Sequence, residues 1–330
     1  MKERNCSIEL YRCYCMFGIV FLHCAMVVLG TFTWQVNICK FCVDGFAFIS
    51  GYYGIRAFKA KKVFNLYFVS VCCILLAEMA MAGGHISSMS LGRMYHCLEK
   101  LWFLHAYVLL MILAPLVNLA AESKDCFKIL LPFCAIIFVW GTVGELPIIG
   151  KLMIHTNGIS SFSGLTLAAV YAVGRIYRIR ELSQRIKFWW VLLAVPVLAF
   201  INCFGLPHSR TGEWVSGWFG NYASPFSVLL AVCGFYLFSR ITLAGWIGKT
   251  IAFVAASMFP VYVIHQHPLF WNWLLDKASI AKDNGGGMMA LVAIAVTMFI
   301  GCVLFDFIRR FILYVLKRVM IVSWCSFKRR

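Results

Sequence analysis

The run VFNLYFVSVCCILLAEMAMA (Val63–Ala82) decides the fold of this 330-residue chain. Its most polar residues are Asn65, Ser70 and Glu78, and the others are almost all apolar. A helix needs about 20 mostly apolar residues to span the hydrocarbon core of a bilayer. A transmembrane strand would instead have about ten residues of alternating polarity. The run therefore predicts a membrane-spanning α-helix.

The remainder of the chain has the same character. Hydrophobic residues make up 62% of it and charged residues 13%, and the mean hydropathy is +0.84. A soluble domain carries about 25% charged residues, so the composition excludes a water-soluble globule. We expect an all-α integral membrane protein, with one polytopic bundle of about ten transmembrane helices over residues 1–330 and no soluble domain. The predicted spans are 8–30, 40–57, 63–83, 101–119, 127–143, 159–177, 188–204, 223–240, 250–271 and 288–308.

The distribution of basic residues predicts the orientation of the bundle. Of the 30 Lys and Arg residues, 23 fall in one set of alternate connections and 7 in the other. Cytoplasmic loops retain positive charge, so both termini are predicted to be cytoplasmic, with a basic tail (310–330) along the inner leaflet. The net charge of +17 then faces anionic lipids and anionic metabolites rather than nucleic acid.

Cysteine and histidine patterns do not predict a metal site. Most of the fifteen cysteines fall within predicted spans, where a thiol behaves as a small hydrophobe, and the Cys39/Cys42 pair has no second pair. His265 and His267 lie about 200° apart around a helix, so they cannot readily ligate one metal from one face. We expect His265 to face the bundle interior and His267 to lie toward the outer interface.

Arg12 and His23 are the first candidates for function, because an ionisable residue at the centre of a span costs about 2.5–3.5 kcal/mol. Eleven residues separate them, which places both on one helix face, about 20° and about 16 Å apart. Arg12 would lie near the inner surface, where its planar donors suit phosphate. His23 would lie near the midplane, where a neutral imidazole can take a proton. The alternatives are a snorkelling anchor and a packing hydrogen bond.

The segment RCYCMFGIVFLH (Arg12–His23) resembles the Arg-x10-His signature of membrane-bound acyltransferase family 3, the O-acetyltransferases of surface polysaccharides. The resemblance covers nearly the whole chain, in order. The other segments that carry it are FCVDGFAFISGYY (41–53), WFLHAY (102–107) with Pro115 and Asn118, VGRIYR (173–178), YASPF (222–226) and FPVYVIHQHP (259–268).

This resemblance implies an O-acetyltransferase of the bacterial inner membrane. Acetyl-CoA would be the acyl donor, no metal would take part, and the acceptor would be a hydroxyl of a cell-surface polysaccharide or of its lipid-linked precursor. His23 would act as general base or as transient acyl carrier, and the residues leave both roles open. The other expected catalytic residues are Arg12 and Asp44. Asp44 would orient the base or pair with a basic group, and an internal hydrogen bond is the alternative.

Donor and acceptor sites follow from the same motifs. Basic, hydroxyl-bearing and glycine residues at the inner face are expected to hold the CoA moiety. They are Arg12, Ser50, Gly51, Tyr52, Lys59, Lys61, Lys62, Arg175 and Arg178. For Ser50 and Gly51, tight helix packing is an equal alternative. The expected acceptor-binding residues are Trp102, Tyr107 and His265, and Glu78 is expected to pair with a basic group or to make an internal hydrogen bond.

Two other interpretations stay open at this point. A transporter or flippase for a lipid-linked glycan would also be polytopic and carry intramembrane charges, although such proteins often contain inverted repeats and none is visible in the sequence. The same acyl-transfer machinery would also serve a lipid or amine acceptor. Only the identity of the product distinguishes that acceptor from a glycan.

Replacing Arg12 with Lys is expected to weaken the use of acyl-CoA, because an ammonium group does not reproduce a bidentate guanidinium fork. The binding free energy lost should be that of one hydrogen bond to a charged group, about 1.5–3 kcal/mol. The measurement is the dependence of the transfer rate on acyl-CoA concentration. An unchanged dependence would count against Arg12 as a donor-binding residue.

Overall fold

The computed structural model describes residues 5–30, 33–143, 164–204, 208–210, 213–215, 221–283, 285 and 287–328. The first part of the predicted span 159–177 and the end of the basic tail lie outside these residues. The helices of the described part are α1 (Cys6–Leu29), α2 (Trp34–Cys39), α3 (Phe41–Tyr53), α4 (Ala60–Met81), α5 (Leu91–Glu99), α6 (Trp102–Glu122), α7 (Cys126–Val143), α8 (Gly164–Ile179), α9 (Leu182–Arg185), α10 (Phe188–Phe204), α11 (Pro225–Ser239), α12 (Gly245–Ala255), α13 (Met258–Ile264), α14 (Pro268–Asp283) and α15 (Met288–Lys328). A short antiparallel hairpin pairs β1 (His208–Arg210) with β2 (Glu213–Val215).

The described helices confirm an all-α membrane protein apart from this hairpin. In the described part of the chain, five helical segments are long and apolar enough to cross a bilayer. They are Cys6–Leu29, Ala60–Met81, Trp102–Glu122, Gly245–Ile264 and Met288–Val319. Shorter apolar helices cover Cys126–Val139, Phe188–Phe204 and Pro225–Ser239. The total of about ten spans and the orientation of the termini remain predictions.

Helix α1 lies at the centre of the bundle. Its first turn is capped by Asn5, whose side chain accepts hydrogen bonds from the amides of Ser7 and Ile8. The helix packs against α2, α3 and all five helices from α11 to α15. Its residues from Tyr11 to Ala25 are largely buried, so side chains on several of its faces meet protein rather than lipid.

Helices α3 and α8 approach so closely that glycine is required on both. A Cβ atom at Gly51 would collide with the backbone carbonyl of Tyr171, and one at Gly174 would collide with the carbonyl of Phe48. Small residues let helix backbones come together in a membrane, where dispersion contacts replace the hydrophobic driving force. Gly51 therefore serves helix packing, which was one of its two predicted roles.

A closed set of hydrogen bonds holds the turn that follows α3. The Ile55 amide donates to the Tyr171 hydroxyl (2.7 Å), and this hydroxyl donates to Asn118 Oδ1 (2.8 Å). Asn118 Nδ2 donates in turn to the Ile55 carbonyl (2.8 Å). Gly54 begins the turn with φ 76°, a left-handed conformation that favours glycine. The set joins α6, α8 and the end of α3.

The predicted span 250–271 is a broken helix, since α12 ends at Ala255 and α13 begins at Met258. Pro260 explains the break, because it has no N–H to donate to the carbonyl four residues earlier and its ring crowds that carbonyl. Arg310 of α15 supports the break, with Nη2 donating to Ser257 Oγ (2.7 Å). The Arg310 Nε atom donates to the fully buried Asp306 (2.7 Å), which also accepts from Arg309.

A second buried ionic cluster joins α4, α5 and the start of α14. Glu78, predicted to pair with a basic group, accepts two hydrogen bonds from Arg93 (2.6 and 2.8 Å). These bonds raise the pKa of the Arg93 guanidinium. His267 Nε2 lies 3.3 Å from a Glu78 oxygen, and the residue is 1% exposed. His267 is thus enclosed by protein at the level of Glu78, and its position toward the outer interface remains a prediction.

The last helix, α15, runs without interruption from the final predicted span into the basic tail. Its 41 residues correspond to about 62 Å at 1.5 Å per residue. This is about twice the thickness of the hydrocarbon core, which is about 30 Å. The helix therefore extends well beyond Arg310, the residue that contacts Ser257 at the break between α12 and α13.

Gly174→Ala is expected to destabilise the protein by about 1–3 kcal/mol, because the added methyl group must push α3 and α8 apart. Thermal unfolding in detergent would show this as a lower midpoint. Gly301→Ala is the matched control within a helix, since a Cβ there meets only an ordinary contact, 3.7 Å from a ring carbon of Phe270. Equal midpoints for the two variants would contradict the packing argument.

Candidate active site

Arg12 and His23 line the same internal cavity, as their spacing on one helix face predicts. The cavity has a volume of about 360 Å³. On α1 its wall runs from Arg12 through Met16, Ile19 and Leu22 to His23. Arg12 lies six residues after the start of α1 and His23 six residues before its end. The cavity thus extends along about 16 Å of the central part of the helix, and His23 lies in the second half of α1 rather than at its middle.

Three other segments form most of the remaining wall. One side is formed by α3, another by the start of α6 and another by the broken helix α12–α13. The lining residues from these segments are Val43, Phe46, Ile49, Ser50, Trp102, Phe103, Leu104, Tyr107, Ala255, Ala256, Met258, Phe259 and Tyr262, and Leu66, Tyr222 and Gln266 complete the set. Non-helical backbone at membrane depth is tolerated where it lines a cavity, as the break beside Ala256 does here.

Arg12 is held by an acid on its own helix. Its Nη1 atom donates to both carboxylate oxygens of Glu9, at 2.8 and 3.1 Å. Neither Nε nor Nη2 has a partner among the described residues, and the side chain is 28% exposed. Glu9 thus fixes the guanidinium at one end of the cavity and leaves two donor nitrogens for an anionic ligand.

His23 is bonded to a second histidine rather than to a carboxylate. Its Nδ1 atom lies 2.9 Å from Nε2 of His265, and the two ring centroids are 4.9 Å apart. The other ring nitrogen of His265, Nδ1, lies 2.9 Å from the Val261 carbonyl oxygen. His265 is buried and does not line the cavity, so it stands behind His23.

This chain of contacts determines the tautomers of both neutral rings. The Val261 carbonyl can only accept, so Nδ1 of His265 carries the hydrogen and its Nε2 is the acceptor. Nδ1 of His23 must then be the donor, which leaves the lone pair on His23 Nε2. Within the described residues Nε2 has no hydrogen-bond partner. Since His23 lines the cavity, that lone pair is available to a ligand there.

A hydroxyl pair lines the cavity where α3 faces α6. Ser50 Oγ donates to the Phe46 carbonyl (2.9 Å) and lies 3.1 Å from the Tyr107 hydroxyl. Because the Ser50 hydrogen is used by Phe46, Tyr107 is the donor in the second contact. Both residues line the cavity, and Tyr107 was expected to be near a substrate.

Aromatic rings lie toward the end of the cavity opposite Arg12. They come from the first turn of α6 and from the segment just before α11. The rings of Trp102 and Tyr222 are 5.6 Å apart and both line the cavity. Trp271 lies 6.2 Å from the His23 ring in an edge-on arrangement. Gln266 adds a side-chain amide to this end of the wall. Trp102 was predicted as a contact residue, whereas Tyr222 and Gln266 were missed.

Asp44 and His265, both expected near the reacting groups, do not line the cavity. Asp44 is fully buried, and neither of its carboxylate oxygens has a hydrogen-bond partner in the part of the chain that the structure describes. It therefore does not orient His23, and His265 takes that place. His265 was expected to contact substrate, but it is not among the lining residues and is bonded to His23 instead.

The other expected donor-binding residues lie outside the cavity. Arg175 pairs with Glu122 (2.5 Å) in a separate cleft of about 470 Å³ that Arg56 and Asn118 also line. Arg178 lies over the ring of Tyr52, 5.1 Å from its centroid, and donates to its hydroxyl. The remaining lysines of the set, Lys59, Lys61 and Lys62, are exposed. In the described residues, no group of three or more His, Cys, Asp and Glu side chains is arranged to hold a metal ion.

The comparisons with known proteins identify one family. A family model for an acyltransferase domain, that of acyltransferase family 3, matches residues 5–307. This range includes every residue that lines the cavity. It ends within α15. No curated protein and no solved structure matches the chain significantly.

His265→Leu is expected to lower the rate of acyl transfer by roughly 10²-fold, within the range that a positioned acid or base contributes. Leucine cannot accept the hydrogen on His23 Nδ1, so the His23 ring would be free to rotate or to change tautomer. His265→Gln should retain more activity, because its amide oxygen can accept that hydrogen. Steady-state rates of the purified variants test this, and equal rates for wild type and His265→Leu would contradict it.

Proposed function

We propose, from the premise that this chain belongs to acyltransferase family 3, that it is an integral membrane O-acyltransferase of the bacterial inner membrane. It transfers an acetyl group from acetyl-CoA to a hydroxyl of a cell-surface polysaccharide or of its lipid-linked precursor. The observation that carries the proposal is the pair Arg12 and His23, which line one cavity with the Nε2 lone pair of His23 available inside it.

The Arg12 end of the cavity suits an acyl-CoA. The free nitrogens of the guanidinium would bind a phosphate oxygen of the donor. An extended pantetheine arm is comparable in length to the distance of about 16 Å between Arg12 and His23 along α1. The thioester would then lie beside the imidazole. The wall between the two residues is mostly apolar, which favours the arm over water.

The basic surface around this end supports the same orientation. Arg178, at the end of α8, contacts Tyr52 at the end of α3, and Arg175 and Arg56 line the neighbouring cleft. Together with Lys59, Lys61 and Lys62 they would raise the local concentration of an anionic nucleotide without contacting its reactive part. This end would face the cytosol, where acyl-CoA is made, in agreement with the predicted orientation.

The opposite end of the cavity suits a sugar. A pyranose ring has an apolar face that stacks on aromatic side chains, and Trp102 and Tyr222 offer adjacent rings. The Gln266 amide can donate to and accept from sugar hydroxyls. A hydroxyl bound beside these residues would reach His23 from the side opposite the donor. Acceptor and thioester would thus meet at the imidazole.

The reaction then proceeds as one exchange of groups. His23 Nε2 takes the proton of the acceptor hydroxyl as its oxygen attacks the thioester carbon. A C–O bond forms, the C–S bond breaks, and the thiolate leaves with the proton from the imidazolium as CoA. His265 accepts the hydrogen bond from His23 Nδ1 throughout and stabilises the ring in its productive orientation. Alternatively, Nε2 itself carries the acyl group between donor and acceptor.

One structural feature favours a second candidate, a transporter or flippase for a lipid-linked glycan. Transporters often use discontinuous helices at a central site, and the break between α12 and α13 lines this cavity. The family assignment favours acyl transfer instead. The two functions differ in whether acyl-CoA is consumed.

His23→Ala is expected to abolish acyl transfer to background, since it removes the one group that, among the described residues, is placed to take the proton. The assay offers acetyl-CoA and an oligosaccharide to purified protein in detergent, and follows free CoA thiol and acetylated sugar together. His96→Ala is the matched control, because His96 lies on the exposed face of α5 and should leave the rate unchanged.

The outcomes separate the candidates. Wild-type rates for a folded His23→Ala variant would overturn the role of His23. Movement of a lipid-linked glycan across vesicles without release of CoA would favour the transporter. Acetylated lipid or amine in place of acetylated sugar would retain the mechanism and change the acceptor.

A further inference from the structure

Tyr262 lies in the cavity wall one helical turn before His265. It belongs to α13, and its ring centroid is 6.1 Å from that of His265. The residue is 4% exposed and lines the cavity together with His23. Because residues three apart lie on the same side of a helix, Tyr262 and His265 project toward the same part of α1. The phenol therefore reaches the region where the proposed reaction takes place.

The hydroxyl of Tyr262 accepts a backbone hydrogen bond and has its own hydrogen to give. The Phe103 amide, in the first turn of α6, donates to the phenol oxygen (3.1 Å). The residue before α6, Leu101, provides no side-chain cap, so Tyr262 supplies one from another helix. Among the described residues no acceptor receives the phenol hydrogen. A phenol that accepts a hydrogen bond is also a stronger donor.

The other hydroxyls along the wall differ in this respect. The Tyr107 hydrogen is directed to Ser50 and the Ser50 hydrogen to the Phe46 carbonyl. Neither is therefore available to a ligand without breaking an existing bond. Tyr262 alone combines, within this set of three, a fixed oxygen position with an uncommitted hydrogen.

We propose that Tyr262 is a further catalytic residue, whose hydroxyl donates a hydrogen bond to the carbonyl oxygen of the acyl thioester. This inference rests on the proposed function. As the acceptor oxygen attacks, negative charge develops on the carbonyl oxygen, and a preorganised donor stabilises it. The Tyr262 proton stays on the phenol. His23 takes the proton from the acceptor and passes it to the leaving thiolate, so no other reactant is needed.

Tyr262→Phe is expected to lower kcat by roughly 10²- to 10³-fold, the effect of removing one donor to a developing oxyanion. Binding of CoA, which has no acyl carbonyl, should stay within about threefold of wild type. Tyr171→Phe is the matched control. Tyr171 also accepts a hydrogen bond from a backbone amide, that of Ile55, but it does not line the cavity. Loss of its hydroxyl should therefore lower the unfolding midpoint and leave kcat within about threefold of wild type.

A second substitution keeps the hydroxyl and changes only its acidity. Replacing Tyr262 with 3-fluorotyrosine and then with 3,5-difluorotyrosine should change kcat progressively, because hydrogen-bond strength follows the acidity of the donor. A residue that only caps α6 would show no such progression. These variants also keep the test valid if Tyr262→Phe does not fold.

The outcomes distinguish this inference from the proposed function. Near wild-type kcat for Tyr262→Phe, or no response to fluorination, would overturn the role of Tyr262 if His23→Ala is inactive in the same assay. Full activity of His23→Ala would overturn the proposed function itself. A large fall in kcat with unchanged CoA binding, together with a graded fluorine effect, would support the role of Tyr262.

Discussion

The hydrogen bond between His23 and His265 joins the central helix α1 to α13, and the geometry of the site depends on it. A histidine in hydrocarbon needs a partner for its polar nitrogens, since an unpaired buried donor or acceptor costs free energy. His265 obtains one partner from the backbone of its own helix, at Val261, and the other from His23. This leaves one nitrogen of the pair, His23 Nε2, without a partner among the described residues, and His23 lines the cavity.

The surroundings of this pair are built to resist change. Pro260 interrupts the helix that carries His265, and an interrupted helix in a membrane needs other groups to satisfy and stabilise it. Arg310 donates to Ser257 at the break, and Asp306 fixes Arg310. On the other side of His265, the buried Glu78 holds Arg93 and lies beside His267. Two ionic clusters thus flank the short segment that positions the histidine.

Much of the membrane character and part of the site could be predicted from the sequence. Apolar runs of about 20 residues determine helices directly, and the spacing of Arg12 and His23 determines a shared face by helical geometry alone. The contact between His23 and His265 could not be derived that way, because 242 residues separate them. Asp44 was a reasonable candidate as a buried acid, but only the packing of α3 against its neighbours decides where its carboxylate points. The break at Ala256 had a local signal in Pro260, which does not by itself distinguish a bend from an interruption.

The glycine contacts between α3 and α8 have a mechanical consequence for how a bulky acyl-CoA could pass into the interior. Gly51 and Gly174 leave no spare space between the two backbones, so these helices cannot slide or separate without losing their contact. The wall that α3 contributes is consequently stiff. An entry route for the donor that required α3 to move away from α8 would therefore break close backbone contacts.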